Sequence, residues 1–126
     1  MMFRPILLMD FDGVINSYSS GWKGIEVIPD PPVPGVFEWM ADAMLHFDIA
    51  IYSSRSEDPH GRRAMFEYIL KHTSEEFVRQ LDFPITKPRA FLTIDDRCIR
   101  FDGDWANPLL NPALLREYRS WYQSTK

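Results

Sequence analysis

Four apolar residues in a row, Ile6 to Met9, stop abruptly at Asp10. A short uninterrupted run of this kind predicts a strand buried on both faces. From Gly35 to Phe47 the period changes: Val36, Phe37, Met40, Met44 and Leu45 recur at helical spacing, which predicts an amphipathic helix. Asp48 to Ser53 reads as a second strand. Pro59 to His72 reads as a second helix, with Asp58 as N-cap, Pro59 in the first helical position and Met65, Phe66, Ile69 and Leu70 as its buried stripe. Thr73-Ser74-Glu75-Glu76 has the spacing of a capping box and predicts a short helix to about Leu81. Phe83 to Thr86 and Phe91 to Ile94 predict a third and a fourth strand, the latter ending at Asp95 and Asp96. Arg97 to Phe101 predicts a short edge strand. Asn111-Pro112 opens a final helix with Leu114, Leu115, Tyr118 and Trp121 on its apolar face.

Between the first strand and the first helix the pattern is lost. Asn16 to Pro34 carries Gly21, Gly24, Pro29, Pro31, Pro32 and Pro34, with Tyr18, Trp22 and Ile25 interspersed. This predicts a long loop, with room for a small hairpin, of a length often used as a flap over a site. Strands alternating with helices predict an α/β fold: a mainly parallel central sheet with helices on both faces, in a three-layer Rossmann-like arrangement. Ligands bind such sheets beyond the carboxyl ends of the strands. Asp10, Ser53 and Asp95 stand at three of those ends.

The length, 126 residues, suits one domain spanning 1–126 and leaves little room for a second. With 45% hydrophobic residues the chain can build a core, and a net charge of −4 argues against a nonspecific nucleic-acid coat or a membrane-surface protein. No stretch approaches the roughly 18 apolar residues of a membrane span, and the apolar run at the N-terminus is too short for a signal-peptide core. Cys98 is the single cysteine. It excludes an internal disulfide, is expected as a small core residue, and fits a cytoplasmic protein. His46, His60 and His72 have no metal-site spacing and are expected at the surface or at helix ends.

The predicted sheet edge would gather Asp10 and Asp12 from one strand with Asp95 and Asp96 from another. Carboxylates crowded in this way repel, and a divalent cation resolves the conflict. Oxygen-only donors favour magnesium. Magnesium beside a free carboxylate points to phosphoryl transfer: the carboxylate attacks phosphorus and water later hydrolyses the acyl phosphate. A second acid can protonate the leaving oxygen and then activate the water. Gly13 lets the backbone turn closely around a phosphate, Ser53 can donate to a phosphoryl oxygen, with Ser54 as the alternative one residue on, and Lys87 can offset the charge.

These residues resemble the motifs of the haloacid dehalogenase superfamily of phosphohydrolases. Asp10-Phe11-Asp12-Gly13-Val14 is similar to its first motif, Ile49 to Ser53 to its second, Lys87 to its third, and Phe91-Leu92-Thr93-Ile94-Asp95-Asp96 to its fourth. The resemblance runs from about Ile6 to Asp96 and implies Asp10 as nucleophile and Asp12 as general acid/base. It implies a magnesium site made by Asp10, the Asp12 main-chain carbonyl, Asp95 and Asp96, with Asp96 a direct or a water-mediated ligand. Lys87 runs almost directly into the fourth motif, and Arg89 is the substitute for its role. The chain has no room for a cap domain, so it resembles the capless members, with the 16–34 loop as the flap.

Arg55 could clamp a substrate phosphate or pair with Glu57. Tyr18, Trp22 and Lys23 in the flap are either local packing or an aromatic platform with one cation, suited to a base or sugar ring bearing phosphate. Trp105 joins them or covers the core. The expected activity is magnesium-dependent phosphomonoester hydrolysis on a phosphorylated small molecule. The alternatives are a phosphatase for nucleic-acid ends or nucleotides, aided by Lys23, Arg55, Arg62 and Arg63, and an idle binding module of the same fold. A monomer and a homodimer are both compatible with the sequence.

Overall fold

The computed structural model describes residues 3–123. Ile6–Met9 forms β1, Asp48–Ile51 forms β2 and Leu92–Ile94 forms β3. They make a three-stranded parallel sheet in the order β2-β1-β3, so the first strand in sequence is the central one. Leu7 lies between Ile49 and Leu92, and Met9 between Ile51 and Ile94. The ladder runs on past the strands: the Asp10 amide donates to the Ile94 carbonyl at 3.0 Å, and the Tyr52 amide to Met9 at 3.1 Å. Central placement explains the uninterrupted apolar run, since Leu7, Leu8 and Met9 are all buried.

Val36–Ala43 forms α1 and Pro59–His72 forms α2. Leu7, Met9, Ile49 and Ile51 share a core with Val36, Met40, Met65 and Ile69. The predicted stripes are the buried ones, except that Leu45 lies beyond α1 and is exposed. Asp58 caps α2, its carboxylate accepting from the His60 amide at 2.8 Å. Gly61, the third residue of α2, is required by packing: a Cβ there would stand 2.2 Å from the Arg55 carbonyl oxygen. Glu75–Val78 forms α3. Its cap is Ser74, whose hydroxyl accepts from the Phe77 amide at 3.1 Å. Thr73 does not take part, because its hydroxyl donates back to the Ile69 carbonyl at the end of α2.

Two predicted elements do not form, and a third is shorter than expected. Phe83–Thr86 is not a strand. Only Asp82 reaches β2, its amide donating to Ile49 and its carbonyl accepting from Ile51, and Pro84 then has no N–H with which to extend the ladder. Arg97–Phe101 is not an edge strand, because the Asp95 carboxylate accepts from the Arg97 amide and turns the chain. Cys98 is consequently exposed, not in the core. The final helix, α4, covers only Pro112–Leu115. Asn111 caps it as expected, but the chain loosens at Glu117 and Tyr118 into turns three residues long and then leaves for the site. Leu114, Tyr118 and Trp121 are exposed, and so is Trp105, which meets Phe101 and does not cover the core. The three histidines lie at the surface as expected. Among the described residues no helix is long and apolar enough to cross a membrane.

The Asn16–Pro34 loop is closed at its base. Asn16 bridges Pro32 in antiparallel fashion, the Ser17 amide donates to Pro31 and the Val33 amide to Ile15. Farther out, Asp30 accepts from the Ser20 amide and hydroxyl, and the Tyr68 hydroxyl of α2 donates to the Asp30 carbonyl at 2.8 Å. The loop is thus tied to the body at both levels.

Candidate active site

β1 and β3 are adjacent and parallel, so the residues after them emerge side by side. Asp10, Asp95 and Asp96 each offer a carboxylate oxygen, and these oxygens lie within 4.8 Å of one another. Burial, a hydrogen bond shared with Asp96 and the charges of Asp95 and Asp96 push the Asp10 carboxyl up to about 8, against one opposing backbone hydrogen bond from Phe11. Three hard oxygen donors this close together, one of them the up-shifted Asp10, fit a divalent cation such as magnesium.

Asp12 is not part of this trio. Its carboxylate accepts from Arg55 Nε at 3.0 Å, from Arg55 Nη2 at 3.1 Å and from Asn16 Nδ2 at 2.8 Å. Asn16 in turn accepts from the Tyr18 amide. The side chain is therefore held on the flap side of the β1 turn, two residues beyond Asp10, while Asp10 faces the acids of β3.

Arg55 is 1% exposed. Its Nε and one Nη2 hydrogen serve Asp12. Nη1 donates to the Gly24 carbonyl at 2.8 Å and to Ile25 at 2.7 Å, and Nη2 also reaches Val27. Trp22 lies against its face, 4.5 Å from ring centroid to guanidinium carbon. All five N–H donors of the guanidinium are thereby engaged inside the protein. Neither of the expected roles describes it: none is left for a substrate phosphate, and its ionic partner is Asp12, not Glu57.

Gly13 is buried with φ +82, and a Cβ there would stand 2.6 Å from Asp96 Oδ2 and 2.7 Å from Tyr122 Cε1. Only glycine permits this approach of the first-motif turn to the acids of β3. Ser53 is buried two residues past β2; its hydroxyl accepts from the Arg55 amide at 3.1 Å and lies 3.3 Å from Met65 Sδ, which makes it an organiser of the Arg55 turn. Ser54 is exposed. Lys87 and Arg89 are both exposed on the segment leading into β3. In the flap, Trp22 and Lys23 are exposed and Tyr18 is half-buried. Tyr18 has φ +56, unusual for a side chain of that size, and its ring meets Tyr122 edge-on at 5.5 Å. Arg62 donates to the Ser56 carbonyl and Arg63 pairs with Glu67 on α2.

The cleft beside the acids is about 240 Å³, lined by Gly13, Val14, Val33, Ile94, Asp95, Asp96 and Trp121. Asp95 and Asp96 line this cleft, whereas a larger concavity of about 320 Å³ along α2 is lined by none of the three acids. The presence of Trp121 here was not foreseen. Its indole Nε1 donates to the Gly13 carbonyl at 2.6 Å. Tyr118 and Ser120 likewise reach Asp96. Nothing in the local pattern around these residues signals such contacts, because their partners lie more than twenty positions away. Asn16, four residues after Asp12, is the one overlooked neighbour that spacing alone could have suggested. Comparison with known proteins finds no matching family model, no matching curated protein and no matching solved structure.

Proposed function

We propose that this chain is a magnesium-dependent phosphomonoester hydrolase of the capless haloacid dehalogenase type, acting through an aspartyl-phosphate on Asp10. The observation that carries the reading is the trio Asp10, Asp95 and Asp96, with donor oxygens within 4.8 Å at the carboxyl ends of two adjacent parallel strands and the Asp10 carboxyl pushed up to about 8. Asp10, Asp95 and Asp96 would hold the cation, which would neutralise charge on the phosphoryl oxygens and favour the ionised form of Asp10. An Asp10 oxygen attacks phosphorus as the bond from phosphorus to the ester oxygen breaks, and Asp12, which must enter the cycle protonated, gives that proton to the leaving alcohol. Asp12 then takes a proton from water, the resulting hydroxide attacks the acyl phosphate at phosphorus, and inorganic phosphate leaves with Asp10 restored. Arg55 and Asn16 fix the position of the Asp12 carboxylate, two residues beyond Asp10.

The test is a panel of phosphate monoesters with magnesium. Turnover by the wild type and its loss in Asp10→Asn are expected. A wild type inert on the whole panel, or an active Asp10→Asn, sinks the reading.

A second reading concerns the substrate. Trp22 is 48% exposed at the rim with a guanidinium behind it, an arrangement suited to stacking a base. A nucleotide or a nucleic-acid end would then be preferred. Equal rates on phosphorylated oligonucleotides and on sugar phosphates argue against this preference.

A further inference from the structure

The segment from Tyr118 to Tyr122 reaches the acidic trio from the far end of the chain. The Tyr118 hydroxyl donates to the Asp96 carbonyl at 2.6 Å. Ser120, with no exposed surface, shares its hydroxyl proton between Asp96 Oδ2 at 3.1 Å and the Asp96 carbonyl at 3.3 Å. Trp121 Nε1 donates to the Gly13 carbonyl, and the Tyr122 ring closes on Gly13. The segment is itself braced: Gln123 Oε1 accepts from the Ser120 amide at 3.0 Å and from Arg97 Nη2 at 3.2 Å.

We propose that this segment is a working part of the metal site, with Ser120 as the positioning residue for Asp96. The inference rests on the reading that Asp10, Asp95 and Asp96 hold a divalent cation. Asp96 lies on an irregular turn after a three-residue strand, so neither the sheet nor a helix fixes its carboxylate. A carboxylate ligand gains its orientation from the hydrogen bonds it accepts. The Ser120 hydroxyl contacts both the carboxylate and the carbonyl of the same residue, which fixes the rotation of the side chain relative to its own backbone. The Tyr118 hydroxyl donates to the same carbonyl and holds the backbone as well. The bond from Trp121 to Gly13 gives the turn after Asp10 the same anchor, so one segment sets the spacing between the two acids from different strands. A segment that served only to dock the chain end would be indifferent to the cation.

Calorimetric titration of the full chain with Mn²⁺ separates these roles. Ser120→Ala is expected to weaken Mn²⁺ binding about tenfold or more, the usual effect of removing a partner of a metal ligand. Ser120→Thr, which keeps the hydroxyl, is expected to restore most of the affinity. Tyr118→Phe removes only a hydroxyl from a residue 38% exposed, and it provides the second variant if Ser120→Ala does not fold. It is expected to weaken binding in the same direction. Asp95→Asn serves as the control for the site itself. Mn²⁺ affinities equal to wild type in the folded Ser120 and Tyr118 variants, with binding lost in Asp95→Asn, overturn the positioning role and leave the metal site standing. A wild type that binds no Mn²⁺ overturns both.

Discussion

Arg55 grips the Asp12 carboxylate through Nε at 3.0 Å and Nη2 at 3.1 Å while its remaining donors hold the carbonyls of Gly24, Ile25 and Val27. One buried cation therefore joins the second acid of the first motif to the flap. Arg55→Ala leaves a carboxylate and three carbonyls without that partner, and breaking a buried pair from one side costs about 3–5 kcal/mol. Lysine does not replace the fork, having no planar set of five donors. Urea unfolding is expected to show the loss for both substitutions, the larger in Ala. Limited proteolysis is expected to cut first within residues 16–34. Wild-type stability in either variant contradicts this account.

The acidic trio makes a pH prediction with a definite sign. Asp10 titrates near 3.8 in the unfolded chain and near 8 in the fold. Between these values the folded protein binds more protons than the unfolded one, so stability falls as pH rises through that window. The contribution is on the order of 3 kcal/mol by pH 8 after allowance for relaxation of the site. Asp10→Asn removes this slope. Magnesium opposes it by favouring the ionised carboxylate, so the rise in Tm on adding magnesium is expected to be larger at pH 8 than at pH 5. A magnesium effect independent of pH speaks against the trio as the binding site.

Gly13→Ala tests the close approach of the turn to β3. The left-handed backbone costs an alanine about 1–2 kcal/mol, and its Cβ, 2.6 Å from Asp96 Oδ2, must move either the acid or Tyr122. Lower thermal stability and weaker Mn²⁺ binding are expected together. Loss of stability alone, with Mn²⁺ affinity intact, shows that Asp96 does not depend on this contact.

At Gly61 two effects oppose each other. Alanine is favoured over glycine in a helix by about 1 kcal/mol. The new Cβ, however, would sit 2.2 Å from the Arg55 carbonyl oxygen, and overpacking against the backbone costs about 1–3 kcal/mol or more. The clash is expected to win, so that Gly61→Ala unfolds at lower urea concentration than wild type. A stabilised variant shows that the turn carrying Arg55 yields without penalty.

The hydroxyl of Tyr68 is the hydrogen-bonded tie between α2 and the outer flap, through the Asp30 carbonyl. Tyr68→Phe keeps the buried ring beside Phe11 and loses about 1 kcal/mol. Hydrogen exchange is expected to quicken at residues near Asp30 more than in α2. Uniform quickening places the loss in global stability.

The elements that the chain determines by itself are those whose signal is local. The apolar run of β1, the stripe of α2 and the caps at Asp58 and Asn111 depend on neighbours within a few residues, and they form where the pattern sets them. The acids Asp10, Asp95 and Asp96 were legible for the same reason, since each follows an apolar strand and parallel pairing brings strand ends together. What failed locally also has local chemistry: Pro84 has no donor to build a strand, and the Asp95 carboxylate turns the chain at Arg97. Tertiary structure alone decided the rest. Arg55 reads in sequence as a phosphate clamp or a partner for Glu57, and only the folded flap supplies the carbonyls that consume its donors. Ser120 and Trp121 look like the end of a helix, and only the fold carries them to Asp96 and Gly13. A hydrogen bond across such separations follows from the path of the whole chain. Periodicity reports which face of an element is buried, and it carries no information about which distant polar group will meet it there.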